Sequence, residues 1–136
     1  MIELTNTTAL TIPAGGMVAF DKVLLDSGCR ECFNSMVPTS VKLRGRGIYD
    51  IEFHGNVTST TAGDTVQLAI AVGGSPLVQT AMNATPAAAG DLVNVSAGTY
   101  LRNCCCDLDR ISIMNTGTTP VTLAPNSSFR IAHLNA

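Results

Sequence analysis

The chain has 136 residues, eight basic and ten acidic, with a formal net charge of −2 and 46% apolar content, so it is long enough for one domain with a sizeable core and too apolar to be disordered. The balanced charge and a pI near 5.5 exclude the basic footprint of a nucleic-acid partner, and no run approaches the roughly 18 apolar residues that membrane insertion of a helix requires. Only 13% of the residues are charged, about half of the roughly 25% usual in soluble domains, which leaves too few charges to cover an ordinary monomer.

Along the chain, apolar residues recur with period two, and no window sustains the i, i+3, i+4, i+7 spacing of a helix. The start, Met1-Ile2-Glu3-Leu4-Thr5-Asn6, lacks a basic stretch followed by an apolar one, so no secretion signal is expected. Ile2 to Ile12 is the first strand candidate, and residues 1–15 serve either as an N-terminal strand or as an attachment arm. Pro13-Ala14-Gly15-Gly16 turns the chain into a second candidate, Gly16 to Leu25. A loop after Gly28 carries Cys29-Arg30-Glu31-Cys32, and Ser40 to Leu43 forms a short strand. From Ile48 to Val57 the alternation is clean: Tyr49, Ile51, Phe53 and Val57 share one face, Asp50, Glu52, His54 and Asn56 the other, as in a half-buried strand. Val66, Leu68, Ile70 and Val72 repeat the pattern, and Gly73-Gly74-Ser75-Pro76 turns it into Leu77 to Met82 as a hairpin. Asp91 to Ser96 and Thr99 to Cys106 follow, separated by an Ala97-Gly98 turn. Arg110 to Asn115, Val121 to Leu123 and Ser128 to Leu134 complete the series.

About ten short strands with regular turns and no helix predict an all-β fold, an antiparallel β-sandwich or jelly roll, spanning residues 1–136 as a single domain. No linker or composition shift divides the chain.

Five cysteines cannot all pair within one chain, and without a signal the chain is expected to be made in a reducing compartment. In a strand Cys104 and Cys106 point to one face and Cys105 to the other, so a zinc tetrahedron of Cys29, Cys32, Cys104 and Cys106 is geometrically conceivable. Free, partly buried thiols, or a disulfide tying the loop to the strand, fit the spacing better than zinc, and no other cofactor is implied. His54 and His133 are too few for a histidine metal centre, and Asp107 and Asp109 read as solvated turn residues rather than a calcium loop. No G-x-S-x-G elbow, phosphate loop or dinucleotide motif is present, so no catalytic residue is assigned and no enzymatic activity is expected. The Asn-x-Ser/Thr triplets at Asn6, Asn56, Asn83, Asn94 and Asn126 follow from a Ser/Thr-rich composition.

Taken in order, several segments resemble the trimeric jelly roll shared by tumour necrosis factor, the globular heads of the first complement component and bacterial or phage fibre tips. The residues that carry the resemblance are Gly15-Gly16 with Val18 and Phe20, Gly47-Ile48-Tyr49-Asp50-Ile51-Glu52-Phe53, and Asp64-Thr65-Val66-Gln67-Leu68-Ala69-Ile70 with Gly73-Gly74. Towards the end stand Ile111-Ser112-Ile113 with Asn115 and Gly117, and Ser128-Phe129-Arg130-Ile131-Ala132-His133-Leu134-Asn135. The chain has no Trp, two Tyr and four Phe, fewer aromatics than the secreted mammalian members, which favours the bacterial and phage branch.

The resemblance implies a homotrimer with the inner sheet towards the threefold axis. Tyr49, Ile51, Phe53, Phe129 and Ile131 would then fill the core, while Asp50, Glu52, His54 and Arg130 face neighbouring subunits, with Glu52 and Arg130 pairing on adjacent strands or across the interface. A solvated polar face is the alternative. The function implied is that of a structural and binding protein of a phage virion, as fibre tip, tail or capsid decoration. Its partners would be itself, other virion or fibre proteins, and a host surface glycan or protein serving as receptor. A secreted or spore-surface lectin-like module of a bacterium is the competing reading.

Overall fold

A computed structural model of the chain describes residues 1–28, 30–104 and 110–134. In chain order the strands are β1 (Ile2–Thr5), β2 (Leu10–Ile12), β3 (Lys22–Asp26), β4 (Glu31–Asn34), β5 (Val37–Leu43), β6 (Gly47–Thr58) and β7 (Val66–Val72). They continue with β8 (Ser75–Pro76), β9 (Met82–Ala84), β10 (Val93–Asn103), β11 (Arg110–Asn115), β12 (Val121–Leu123) and β13 (Ser128–Leu134), and a 3-10 turn covers Val78–Thr80. All pairings are antiparallel.

β6 organises the first sheet because its alternation is the longest. Tyr49, Ile51, Phe53 and Val57 point inward and are buried, while Asp50, Glu52, His54 and Asn56 face outward. β10 runs along its whole length on one edge, from Val93 opposite Val57 to Asn103 opposite Gly47. β13 and then β12 share the other edge, and β1 and β3 extend the sheet beyond β13. Seven strands thus form one sheet, in which the path β2-β12-β6-β13-β1-β3 is joined by β10. Six form the other, ordered β4-β5-β11-β7-β8 with β9 also on β7. Successive strands from β5 to β7, and again from β10 to β12, pass from one sheet to the other. This crossing, with both sheets antiparallel, is the jelly-roll sandwich.

The inward faces meet in one apolar cluster that includes Leu4, Phe20, Leu43, Ile70, Ile111, Ile113 and Leu123, and all five core candidates, Tyr49, Ile51, Phe53, Phe129 and Ile131. Each fully buried side chain of this size contributes about 1.5–3 kcal/mol by leaving water. Gly55 lies at an inward position of β6, where a Cβ would sit 3.0 Å from Leu123 Cδ1 and 3.1 Å from Ser127 Cβ. A larger residue there would push apart the β12–β13 connection.

Several boundaries differ from the sequence expectation, each for a local reason. Ile2 to Ile12 is two strands, not one, because Asn6 turns inward. Its Nδ2 donates to the carbonyls of Thr8 and Ala124, 3.0 Å each, and its Oδ1 accepts from the Ser127 N–H and hydroxyl. Both pieces belong to the seven-stranded sheet, so the segment does not extend away as an arm. In Gly16 to Leu25 only Lys22–Asp26 is a strand. The first half instead bonds to the six-stranded sheet, with the Val18 N–H donating to the Ile113 carbonyl of β11 and the Phe20 N–H to the Pro38 carbonyl of β5.

The hairpin partner expected at Leu77 to Met82 is interrupted by the 3-10 turn. Thr80 Oγ1 accepts from the Ile70 N–H at 2.9 Å and donates to the Leu77 carbonyl at 2.7 Å, so one buried hydroxyl replaces a stretch of strand pairing. Ala97-Gly98 is not a turn: Ala97 pairs with Phe53 and Gly98 with Glu52 inside the continuous β10. β4 falls on the cysteine segment that reads as a loop. No helix of the described residues is long and apolar enough to cross a membrane.

Candidate functional site

The outward face of the seven-stranded sheet gathers all four sequence candidates. Asp50, Glu52 and His54 alternate along β6, and Arg130 stands opposite Glu52 on β13. Arg130 Nη2 lies 2.8 Å from Glu52 Oε2, with both side chains nearly half exposed, so the two pair within the chain on adjacent strands. At that exposure the pair is worth about 0–1 kcal/mol. Register fixes the neighbours in rows across the face: Ser128, His54 and Ser96; Arg130, Glu52 and Gly98; Ala132, Asp50 and Tyr100; Leu134, Ile48 and Arg102. Because β10 presents only Ser96 and Gly98 on this face beside the Glu52–Arg130 pair, a depression of about 460 Å³ is left there, with His54 on its rim.

Next to this depression the face turns apolar. Tyr100 is 69% exposed and Ile48 and Leu134 are each 36% exposed. At the far edge of the sheet every residue of β3 is exposed, Val23, Leu24 and Leu25 among them. Mixed apolar and paired polar groups on a broad sheet face are suited to packing against another protein surface.

One end of the sandwich is closed by a polar network. The Tyr49 hydroxyl donates to the carbonyls of Arg44 at 2.7 Å and Gly45 at 3.1 Å, and burial pushes its phenol pKa up. Asn103 Nδ2 donates to the same Gly45 carbonyl at 2.9 Å. The His133 ring packs edge-on against Tyr49, and its Nε2 stands 3.1 Å from the Arg46 carbonyl, which places the ring proton on Nε2. The His133 backbone N–H donates to Glu31 Oε1 at 2.9 Å, and Glu31 Oε2 pairs with the Met1 ammonium at 3.1 Å. Gly47 sits at φ +137°, where a Cβ would run into the His133 ring. His133 is therefore a strand-end residue with its hydrogen bond made. Elsewhere, at the surface, two hydrogen bonds from Thr7 hold the Asp21 carboxyl below its usual pKa.

Of the proposed zinc ligands, Cys32 lies half-buried on β4 and Cys104 is exposed just past β10. Cys29 and Cys106 fall outside the described residues, as do Cys105, Asp107 and Asp109. Among the described residues no three His, Cys, Asp or Glu side chains gather to hold a metal.

Sequence reasoning missed Tyr100. Its signal is an aromatic on the otherwise polar side of an alternating strand, obscured by splitting β10 at Gly98. It also missed a cluster of Lys42, Arg44 and Arg110, which only the pairing of β5 with β11 brings together.

No family profile and no curated protein matches the sequence. Among solved structures, the chain is similar to the globular domain of the zebrafish complement 1qA protein, with a TM-score of 0.72 and 13% identity over 98% of this chain and 96% of that one. It is also similar to the Eiger tumour necrosis factor of S. frugiperda, with a TM-score of 0.76 and 12% identity over 98% and 91%. For murine APRIL at pH 5.0 the TM-score is 0.67 at 13% identity, over 98% and 97%. At such identities the likeness is one of architecture, and it covers nearly the whole chain: the protein has the jelly-roll sandwich found in tumour necrosis factor and complement-head domains.

Proposed function

We propose that this chain is a non-enzymatic structural and binding module that works as a homotrimer, assembled through the outward face of β6, β10 and β13. We propose further that it serves in a phage particle as a fibre-tip, tail or capsid-decoration component that contacts host surface receptors. The observation that carries the trimer is the clustering of exposed Tyr100, Ile48 and Leu134 beside the Glu52–Arg130 pair. Patches of this kind on a soluble chain mark contact surfaces. The fold likeness supports the same reading by analogy, and the virion assignment rests on the low charge and few aromatics.

Tyr100→Glu tests the face. An unpaired carboxylate in a buried contact costs several kcal/mol, so size-exclusion chromatography at micromolar concentration should show the variant as a folded monomer, with Tyr100→Phe retaining the trimer. A Tyr100→Glu protein that elutes with the wild type would place the contact elsewhere. For the particle role, mass spectrometry of purified virions from the source of this sequence should find the chain as a stoichiometric component. Its absence from washed particles would count against that role.

A further inference from the structure

On the opposite sheet, far from the proposed trimer contact, three cations crowd one small groove. Register places Cys32 of β4 opposite Lys42 of β5, and Lys42 opposite Arg110 of β11. Their side chains therefore stand in one row on the outward face, about 5 Å apart at Cβ. Arg44, two residues beyond Lys42, lines the same groove, whose volume is about 160 Å³. Like charges directly opposite each other on neighbouring strands are destabilising. A chain with only eight basic residues has nonetheless placed three of them here. None of the three makes an ion pair among the described residues. The neighbouring carboxylate on β4, Glu31, points to the other side of that strand, where the Met1 ammonium and the His133 N–H hold it.

The groove is also organised. Arg110 Nη1 donates to Ser40 Oγ at 3.1 Å, and Ser40 is itself buried, so one arm of the guanidinium is fixed and the others remain available. Asn34 adds a polar side chain at the rim. An oriented guanidinium beside an ammonium and a second guanidinium matches the geometry of a tetrahedral oxyanion, which accepts several charge-assisted hydrogen bonds at once.

We propose that this groove binds the oxyanion of a sulfate or phosphate monoester through Lys42, Arg44 and Arg110. The site lies on the six-stranded sheet and does not depend on the trimer reading. The sulfate and phosphate sources share this chemistry and are separated by titrating the wild-type protein with glucose 6-sulfate, glucose 6-phosphate and glucose in a calorimeter, at ionic strength matched with chloride. Saturable binding of at least one ester and none of glucose is expected, with the tighter ester identifying the natural source. Lys42→Gln and Arg110→Gln should each weaken that binding about tenfold, the factor one charge-assisted hydrogen bond carries. Because a like-charge contact is relieved, Lys42→Gln should melt no lower than the wild type in the absence of ligand, which separates loss of binding from loss of fold. Failure of both esters to saturate, or equal affinity in wild type and variants, would overturn the proposal.

Discussion

Phe129→Ala is expected to lower the unfolding free energy by about 3–5 kcal/mol, a large part of the roughly 5–15 kcal/mol that holds a domain together. Phe129 is 1% exposed on β13. Its ring stacks on Phe20 at a centroid distance of 5.2 Å and meets Phe53 edge-on at 6.4 Å, so truncation breaks two aromatic contacts at once. Because Phe20 belongs to a segment bonded to the six-stranded sheet while Phe53 and Phe129 belong to the seven-stranded one, the cavity would open between the two sheets, with little scope to collapse. Phe129→Leu, which keeps most of the volume, should cost less than half as much. Urea denaturation read by circular dichroism measures both. A Phe129→Ala loss below about 1.5 kcal/mol would mean that the three-ring cluster does not organise the core.

Asn115→Ala is expected to cost about 2–4 kcal/mol through unsatisfied backbone groups rather than a cavity. Asn115 is fully buried at the end of β11. Its Nδ2 donates to the carbonyls of Ile12 and Thr119, and its Oδ1 accepts from the Gly117 N–H, each at 2.9 Å. One amide thus ties β2, β11 and the turn before β12 together. Ile12 is buried, so its carbonyl would be left without a partner, whereas the half-exposed turn can recruit water. Asn115→Asp should be worse than Ala, since it keeps the acceptor for Gly117 but loses both donor bonds and buries a carboxylate. The same denaturation series gives the order; Asp as stable as Asn would contradict the buried hydrogen-bond network.

The strands legible in the sequence were those whose two faces differ. Tyr49, Ile51 and Phe53 alternate with Asp50, Glu52 and His54, and the jelly roll places the former inside and the latter outside. β11, β12 and β13 likewise fell on the expected segments. What stayed hidden was structure made by single side chains or by pairing. Asn6 breaks the first strand and Thr80 replaces part of a hairpin through hydrogen bonds that no periodicity announces. β10 looked divided at Gly98 because glycine reads as a turn, yet at that position it leaves the Glu52–Arg130 pair uncovered. The row of Lys42 and Arg110, 68 positions apart by number, exists only through the β5–β11 register.

The low charge of the chain has a physical setting. On the outward face of β6 and β10 the neutral Asn56, Asn94 and Ser96 stand beside the charged Asp50, Glu52 and Arg102, with the exposed Tyr100 among them. Burying such a face against copies of itself requires its charges to be paired, as Glu52 and Arg130 already are within the chain, because unpaired charges cost far more to desolvate than neutral groups.

Sedimentation equilibrium of the pure wild-type protein at micromolar concentration decides most directly whether that burial occurs. A single species at three times the chain mass of 14.1 kDa is the expected result, and a stable monomer of 14.1 kDa would contradict the trimeric binding module.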